Sequence, residues 1–302
     1  MRIVFFGTPA FAAYSLKKLI ESGKNIVAVI TAPDKPAGRG MHLHQSEVKK
    51  TALELGITVL QPEKLKSDEF VTQMRQLNAD LGIVIAFRML PEIIWNMPKL
   101  GTFNLHASLL PNYRGAAPIN HAIIQGETKT GVTTFFLKHE IDTGDILFQD
   151  TVDIGPGDNA GTLHDKLMVV GGELVLKTVD MVESGNIAGQ PQVLTGNEKS
   201  APKIFRDFCR LSEHDSLVYN YNKIRGLSPY PAAWIETQSG PVKVYEAKPS
   251  EENPVKTDQS FLIHNNVLLF KCANGFLDLL KIQPAGKPIM SARDFINGQK
   301  NK

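Results

Sequence analysis

Two hydrophobic rhythms alternate along the first half of the chain. "RIVFFG" (2–7) is a short apolar run ending in glycine. "TPAFAAYSLKKLIESG" follows with helical apolar spacing, Thr8 as N-cap, Pro9 at the first helical position and Gly23 just past the end. The pattern predicts strand, turn, helix. It recurs as "NIVAVIT" (strand), "SEVKKTALELG" (helix), "ITVL" (strand), "SDEFVTQMRQLNA" (helix) and "DLGIVIAF" (strand). Near-continuous Val, Ile and Leu strands separated by helices predict βαβ units in a parallel sheet covered on both faces. Further strands are expected over 102–107, 131–137 and 145–154. A long helix from about Thr162 to Glu183 closes the unit, begun by a Thr162 to Asp165 capping pattern and stopped at Gly185. Its Gly171-Gly172 pair predicts close packing or a bend.

The rhythm fails over 185–204, which is rich in Gly, Pro, Asn and Gln and reads as a linker. Beyond it, "SEHDSLVYNYNKIRG" (212–226) is a capped helix. Short β segments follow: "AAWIET", "VKVYEA", "FLIHNN", "VLLFKCA" and "GFLDLLKIQP". Such a run of short strands predicts a small barrel or sandwich, with an OB-like barrel the preferred form.

Composition sharpens this only modestly. A length of 302 residues with 42% hydrophobic and 21% charged side chains suits a soluble protein with two cores. Cys209 and Cys272 are the only cysteines and make no C-x-x-C pair, so neither a structural zinc nor any other metal is expected. No secretory leader pattern and no apolar run near eighteen residues is visible. A cytoplasmic protein without membrane attachment is the expectation. The net charge of +2 permits a polyanionic partner without demanding one. From Phe205 onward, thirteen Lys and Arg stand against ten Asp and Glu, so the small excess lies toward the C-terminus.

The stretch "FNLHASLLPNYRGAAPIN" (103–120) is the most informative. Alternation puts Asn104 and His106 on one face of a strand and Phe103 and Leu105 on the other. Parallel sheets bind ligands beyond the carboxyl ends of their strands, where this pair lies, next to a loop that Pro111 keeps from being helical. The plain alternative is a hydrogen-bonded core histidine with a strand-end asparagine. Further on, "EIDTGDI" carries Asp142 and Asp145 around a Thr-Gly turn. An Asp beside a His orients the imidazole and keeps a proton on it, but the same residues also make an ordinary turn. Arg114 and Gly115 precede Pro118 at a helix start, where small residues and N–H groups would admit an anion or carbonyl, or simply cap a surface turn. "FFGTPAF" lacks G-x-G-x-x-G, "GDNAGT" is no Walker loop, and there is no G-x-S-x-G elbow, so NAD, ATP and a covalent nucleophile are not indicated.

Together, "NLHASLLPNYRGAAPIN" and the later "IDTGDIL" closely resemble the signature of the 10-formyltetrahydrofolate-dependent formyltransferases. "SLLPNYRGAAPI", "RIVFFGTPAFA", "APDKPAGRG", "SPYPAAWIE" and "IQPAGKPIMSARDFINGQ" resemble the branch that formylates an aminoacyl-tRNA, so the likeness spans nearly the whole chain. The resemblance implies a Rossmann-like formyltransferase domain with a mostly parallel sheet over 1–188. A linker over 189–206 and an OB-like, tRNA-binding β-barrel over 207–302 would complete the chain. It implies formyl transfer from 10-formyltetrahydrofolate, a co-substrate, to the amino group of methionine on initiator tRNA, by a monomer without metal. A small-amine acceptor, such as a glycinamide ribotide or an amino sugar, is the alternative. Asn104, His106 and Asp142 fall on the family's catalytic positions. Phe87, Arg88, Met89 and Leu90, with Ser108, Leu109, Leu110 and Pro111, fall on its folate pocket, and Arg39 and Arg114 are implied to meet tRNA. Two departures stand out: Phe87-Arg88 where relatives carry an aromatic and Gly, and Met41, His42 and His44 where they tend to carry a Lys pair.

Overall fold

A computed structural model describes residues 1–37, 42–186, 188–254 and 259–300. The chain groups into two compact units that are not continuous in sequence. The first comprises 1–114, 130–152 and 164–199, and the second 115–129, 153–163 and 200–302.

The first unit opens with β1 (Arg2–Gly7), α1 (Ala10–Glu21) and β2 (Asn25–Ile30). Pro9, not Thr8, occupies the α1 N-cap, so the helix starts one residue later than its sequence suggests. A short hairpin of β3 (Lys35–Ala37) and β4 (His42–His44) interrupts the alternation. Next come α2 (Glu47–Glu54), β5 (Val59–Leu60), α3 (Asp68–Leu77), β6 (Leu81–Ile85), the one-turn α4 (Glu92–Trp95) and β7 (Thr102–His106). The hydroxyls of Ser46 and Ser67 accept from the N–H groups of Lys49 and Phe70, satisfying donors that the first turns of α2 and α3 leave open. After β8 (Arg114–Gly115) and α5 (Pro118–Ile124), β9 (Lys129–Phe136) and β10 (Ile146–Asp153) complete a seven-stranded sheet of order β10-β9-β7-β6-β1-β2-β5. β1 runs parallel to β2 and β6, β2 to β5, and β6 to β7, whereas β9 is antiparallel to β7. The sheet is therefore mostly parallel.

Helix α6 (Ala160–Glu183) begins before Thr162 because Asn159 is its cap: Asn159 Oδ1 accepts from Thr162 N, and Thr162 Oγ1 accepts from Asn159 N, both at 3.0 Å. Close packing accounts for its glycine pair. A Cβ on Gly171 would lie 2.9 Å from Leu105 Cδ2, and one on Gly172 2.7 Å from Tyr14 Cε1. The apolar face of β7 is thereby seated, leaving Asn104 and His106 to the other face.

The second unit takes α5 and the turn before α6 from inside the first half. Its own elements are β11 (Ser200–Ala201), a 3-10 turn at Asp207–Cys209, α7 (Leu217–Leu227), β12 (Ala233–Ile235), β13 (Val242–Pro249), β14 (Phe261–His264), β15 (Val267–Cys272), β16 (Gly275–Pro284), β17 (Met290–Ser291) and α8 (Ala292–Lys300). The strands form an antiparallel sheet with the open path β12-β13-β16-β15-β14, β17 pairing with β16. This is the small C-terminal β domain its short strands anticipate. Ile224 and Leu227 of α7, Val244, Phe270 and Leu277 of the sheet, Ile296 of α8 and Ile124 of α5 share one core. Polar ties reinforce it: Asn120 Nδ2 donates to Gly226 O at 2.7 Å, and Arg225 donates to Asp158 O at 2.8 Å and Gly155 O at 2.9 Å.

Candidate active site

At the carboxyl end of β7 the chain turns through Ala107–Pro111, with a cis Leu110–Pro111 bond, and returns at Tyr113 in left-handed backbone (φ +60°). Ser108 Oγ donates to Asn112 O at 2.6 Å. Thr133 of β9, in register with His106, anchors the turn: its buried Oγ1 donates to Ser108 O at 2.6 Å and accepts from Leu110 N at 3.1 Å. Gln149 of β10 donates to Leu110 O at 2.9 Å and to Thr133 Oγ1 at 3.0 Å. A turn that looks loose in the sequence is thus held from two neighbouring strands.

This fold-back fixes His106. Its ring is buried, with Nε2 2.8 Å from Tyr113 O. A carbonyl only accepts, so Nε2 carries hydrogen and Nδ1 is the nitrogen left for chemistry. Nδ1 faces Asp142 Oδ2 at 3.8 Å, within ion-pair range but beyond a direct hydrogen bond. Asn104, in register with Val84 on one side and Phe135 on the other, keeps its Oδ1 buried without a hydrogen-bond partner among the described residues. Native proteins seldom leave such an atom unpaired, and an incoming N–H would satisfy it.

Asp142 lies on the β9–β10 connection in left-handed backbone (φ +55°). Gly144 follows because a Cβ there would stand 1.5 Å from Phe136 O. Asp145 pairs with Lys138 at 2.7 Å and its carbonyl accepts from Phe136 N at 3.1 Å, so this second carboxylate closes the turn. Gln192, within the expected linker, is the residue the sequence did not reveal. Its Nε2 donates to Asp142 O at 2.9 Å and Gly144 O at 2.8 Å, while its Oε1 accepts from Arg114 Nε at 3.2 Å and Nη2 at 2.5 Å. Arg114 is consequently half-buried and engaged.

Beyond β6, Ala86 takes φ +47° and the chain runs out as Phe87–Leu90. Phe87 packs on Phe6 with ring centroids 5.9 Å apart, Leu90 is buried, and Met89 is 73% exposed. Arg88 turns toward the carbonyls of Pro62 and Glu63 and lies 5.7 Å from the Phe87 ring centroid. The main-chain groups of Phe87–Met89 make no backbone hydrogen bond among the described residues. Such a strip of open donors and acceptors fits a flat, amide-bearing heterocycle. Arg39 and Met41 lie outside the described residues. Before them, Asp34 pairs with Lys49 at 2.6 Å and accepts from Gln61 at 2.8 Å, and these bonds hold its carboxyl below the usual range.

No three His, Cys, Asp or Glu side chains form a metal-holding group among the described residues, and no described helix is long and apolar enough to cross a membrane. In the second unit a groove of about 570 Å³ is lined by Phe205, Arg206, Tyr230, Trp234, Lys243 and Gln283. Phe205 is 65% and Tyr230 81% exposed, and the guanidinium groups of Arg206 and Arg210 lie 5.5 and 5.6 Å from the Trp234 ring centroid. Exposed aromatic rings among cations suit a polyanion that carries bases.

Comparison with known proteins agrees across the whole length. Residues 1–179 match the family described as formyl transferase, and 203–300 match its C-terminal domain. A methionyl-tRNA formyltransferase of Bacteroides fragilis is 48% identical over 99% of this chain and 95% of its own, and one of Parabacteroides distasonis 50% identical over 99% and 96%. Among solved structures, Aquifex aeolicus HypX in complex with tetrahydrofolic acid aligns with a TM-score of 0.66, 18% identity, 98% of this chain and 47% of its own. The sugar 3N-formyltransferase WlaRD aligns with a TM-score of 0.69, 19% identity, 95% of this chain and 99% of its own. At these identities the two structures attest to the shared fold.

Proposed function

The chain belongs to the formyl transferase family, matched in both its domains, and from that premise we propose that it moves a formyl group from 10-formyltetrahydrofolate to the amino group of methionine on initiator tRNA. The observation that carries this reading is His106, pinned at Nε2 by Tyr113 O with Nδ1 turned toward Asp142. The co-substrate, when bound, supplies a formyl carbon as electrophile. Asn104 Oδ1 accepts from an N–H of the attacking amine, and its Nδ2 donates to the formyl oxygen as negative charge develops there. In its doubly protonated form His106 donates from Nδ1 to the same oxygen, while Asp142 holds that ring and takes up the proton that the amine loses, passing it to the nitrogen that the formyl group leaves. Bond formation to the amine and cleavage from the folate nitrogen balance without metal or covalent enzyme chemistry.

Phe87–Leu90 and Ser108–Pro111 are assigned to the folate, the first through its open main-chain groups. Arg39, Arg114 and the basic, aromatic surface of 207–302 are assigned to tRNA, with 1–188 as catalytic domain and 189–206 as connector. The protein is assigned to the cytoplasm as a monomer. The test offers purified protein 10-formyltetrahydrofolate with methionyl initiator tRNA, free methionine and glycinamide ribotide as competing acceptors. Product on tRNA alone is expected, and product on a small amine refutes the acceptor. His106→Ala should bind folate yet lose at least about 10²-fold in turnover, given typical oxyanion and proton-transfer contributions. Near-normal turnover would refute the mechanism.

A further inference from the structure

The segment following α6 is bound to both halves of the catalytic constellation. Ile146 and Gln190 exchange two backbone hydrogen bonds of 2.8 Å, zipping the segment to the start of β10. Gly189 permits the approach, since a Cβ there would lie 2.7 Å from Asp145 Cβ. Two residues on, the Gln192 amide donates twice into the turn, to Asp142 O and Gly144 O, and accepts twice from Arg114. At its far end, Lys199 O accepts from Tyr113 N at 2.5 Å and Lys199 N donates to Asn112 Oδ1 at 3.1 Å. Tyr113 is the residue whose carbonyl fixes His106.

This matters because the Asp142 backbone is in a conformation that a residue with a Cβ does not hold cheaply. Left-handed backbone at a non-glycine position is strained and persists only where the surroundings over-determine it. Gln192 supplies that restraint. Its two N–H donors fall on the carbonyls at and just after the strained residue, and its oxygen meets the fork of Arg114, at the end of the loop that carries the Tyr113 carbonyl. One amide therefore spans the two chain segments whose separation sets the His106–Asp142 distance.

We propose that Gln192 is a positioning residue for formyl transfer, holding Asp142 at its working distance from His106 Nδ1. The inference rests on the function proposed above. It predicts an effect on the chemical step rather than on substrate affinity.

The test uses the full chain with Gln192→Glu, which keeps shape and the acceptor for Arg114 but turns a carboxylate toward two carbonyl oxygens. Gln192→Leu, which removes both functions without adding charge, is the companion and carries the same criteria should the first fail to fold. Misplacement near 1 Å typically costs about 10²-fold, so turnover should fall by about 10- to 100-fold. KM for both substrates should stay within about twofold of wild type, the signature of an interaction that acts on the chemical step. The decisive readout is coupling: Gln192→Glu combined with Asp142→Asn should be no slower than Asp142→Asn alone, because a residue acting through Asp142 has nothing further to lose. Wild-type turnover in Gln192→Glu, a rise in KM at constant turnover, or losses that multiply in the double variant would each overturn the proposal. Wild-type protein in the same assay separates the failures, since its inactivity on methionyl initiator tRNA would sink the functional reading itself.

Discussion

Replacing Thr133 by valine probes the active-site loop without touching a reacting group. The two side chains have nearly the same shape, so the core around β9 keeps its packing and only the hydroxyl is lost. That hydroxyl serves Ser108 O at 2.6 Å, Leu110 N at 3.1 Å and Gln149 Nε2 at 3.0 Å. Gln149 retains Leu110 O, so two groups, one carbonyl and one N–H, are orphaned. At about 1–3 kcal/mol for each unsatisfied buried group, the expected loss is about 2–5 kcal/mol after partial relaxation. The two tryptophans divide between the units, Trp95 in the first and Trp234 in the second. In a Trp234→Phe background, urea unfolding followed by fluorescence therefore reports the first unit. Thr134→Val, which breaks a 2.9 Å bond to Thr178 Oγ1 away from the loop, is the control. The Thr133→Val protein should also lose turnover, since the loop carries the carbonyl that orients His106. A cost below about 1 kcal/mol, within the range of one ordinary hydrogen bond, would refute the claim that Thr133 organises the loop.

Two further outcomes follow from buried groups in the second unit. His121 donates from Nε2 to Pro202 O at 3.0 Å, and burial pushes its pKa below the ordinary histidine value. A depressed folded value means the unfolded chain binds the extra proton first. The stabilising contribution is therefore complete above about pH 6.5, the unfolded value, and is lost as pH falls through the folded one. Urea midpoints measured from about pH 7.5 to about pH 5 should fall, and His121→Gln should flatten that slope; an unchanged slope would contradict the assignment. Cys272 is buried, with its thiol pushed up to about 11, so a thiol reagent at about pH 8 should label it only after unfolding, and rapid labelling of the native protein would be the contrary result.

The period-two alternation of Phe103–His106 revealed which side chains face the site, because strand geometry leaves little choice. The helix beginning at Ser46 was equally legible, and its serine accepts the expected N–H from Lys49, whereas the helix read over 212–226 starts only at Leu217, where Ser216 is the cap. The sequence did not disclose α8, although Ser291 and Asp294 cap its start and Phe295 and Ile296 pack on the core, because nine residues with a single adjacent pair of large apolar side chains carry too little period to mark a helix. The β3–β4 pair leaves no readable period in the sequence, since its strands are three residues each. Gln192 was invisible for a deeper reason. Its partners stand 48 to 78 positions away, and nothing in a polar, Pro-rich stretch marks one amide as bridging distant turns. Local pattern fixes which face a side chain takes; only the folded chain decides what it meets.

The discontinuity of the compact units bears on how the protein is made. Ile124 is in place by the time two-fifths of the chain has been synthesised, yet the core it joins is completed by Leu277, Ile282 and Ile296. On the ribosome, α5 must therefore wait, its apolar side uncovered, while most of the remaining chain is translated. A fragment ending near residue 200 should accordingly be captured by chaperones or aggregate rather than persist as a free catalytic half. A gene fusion or permutation is better placed at the exposed turns of the β sheet than at the stretch that resembles a linker.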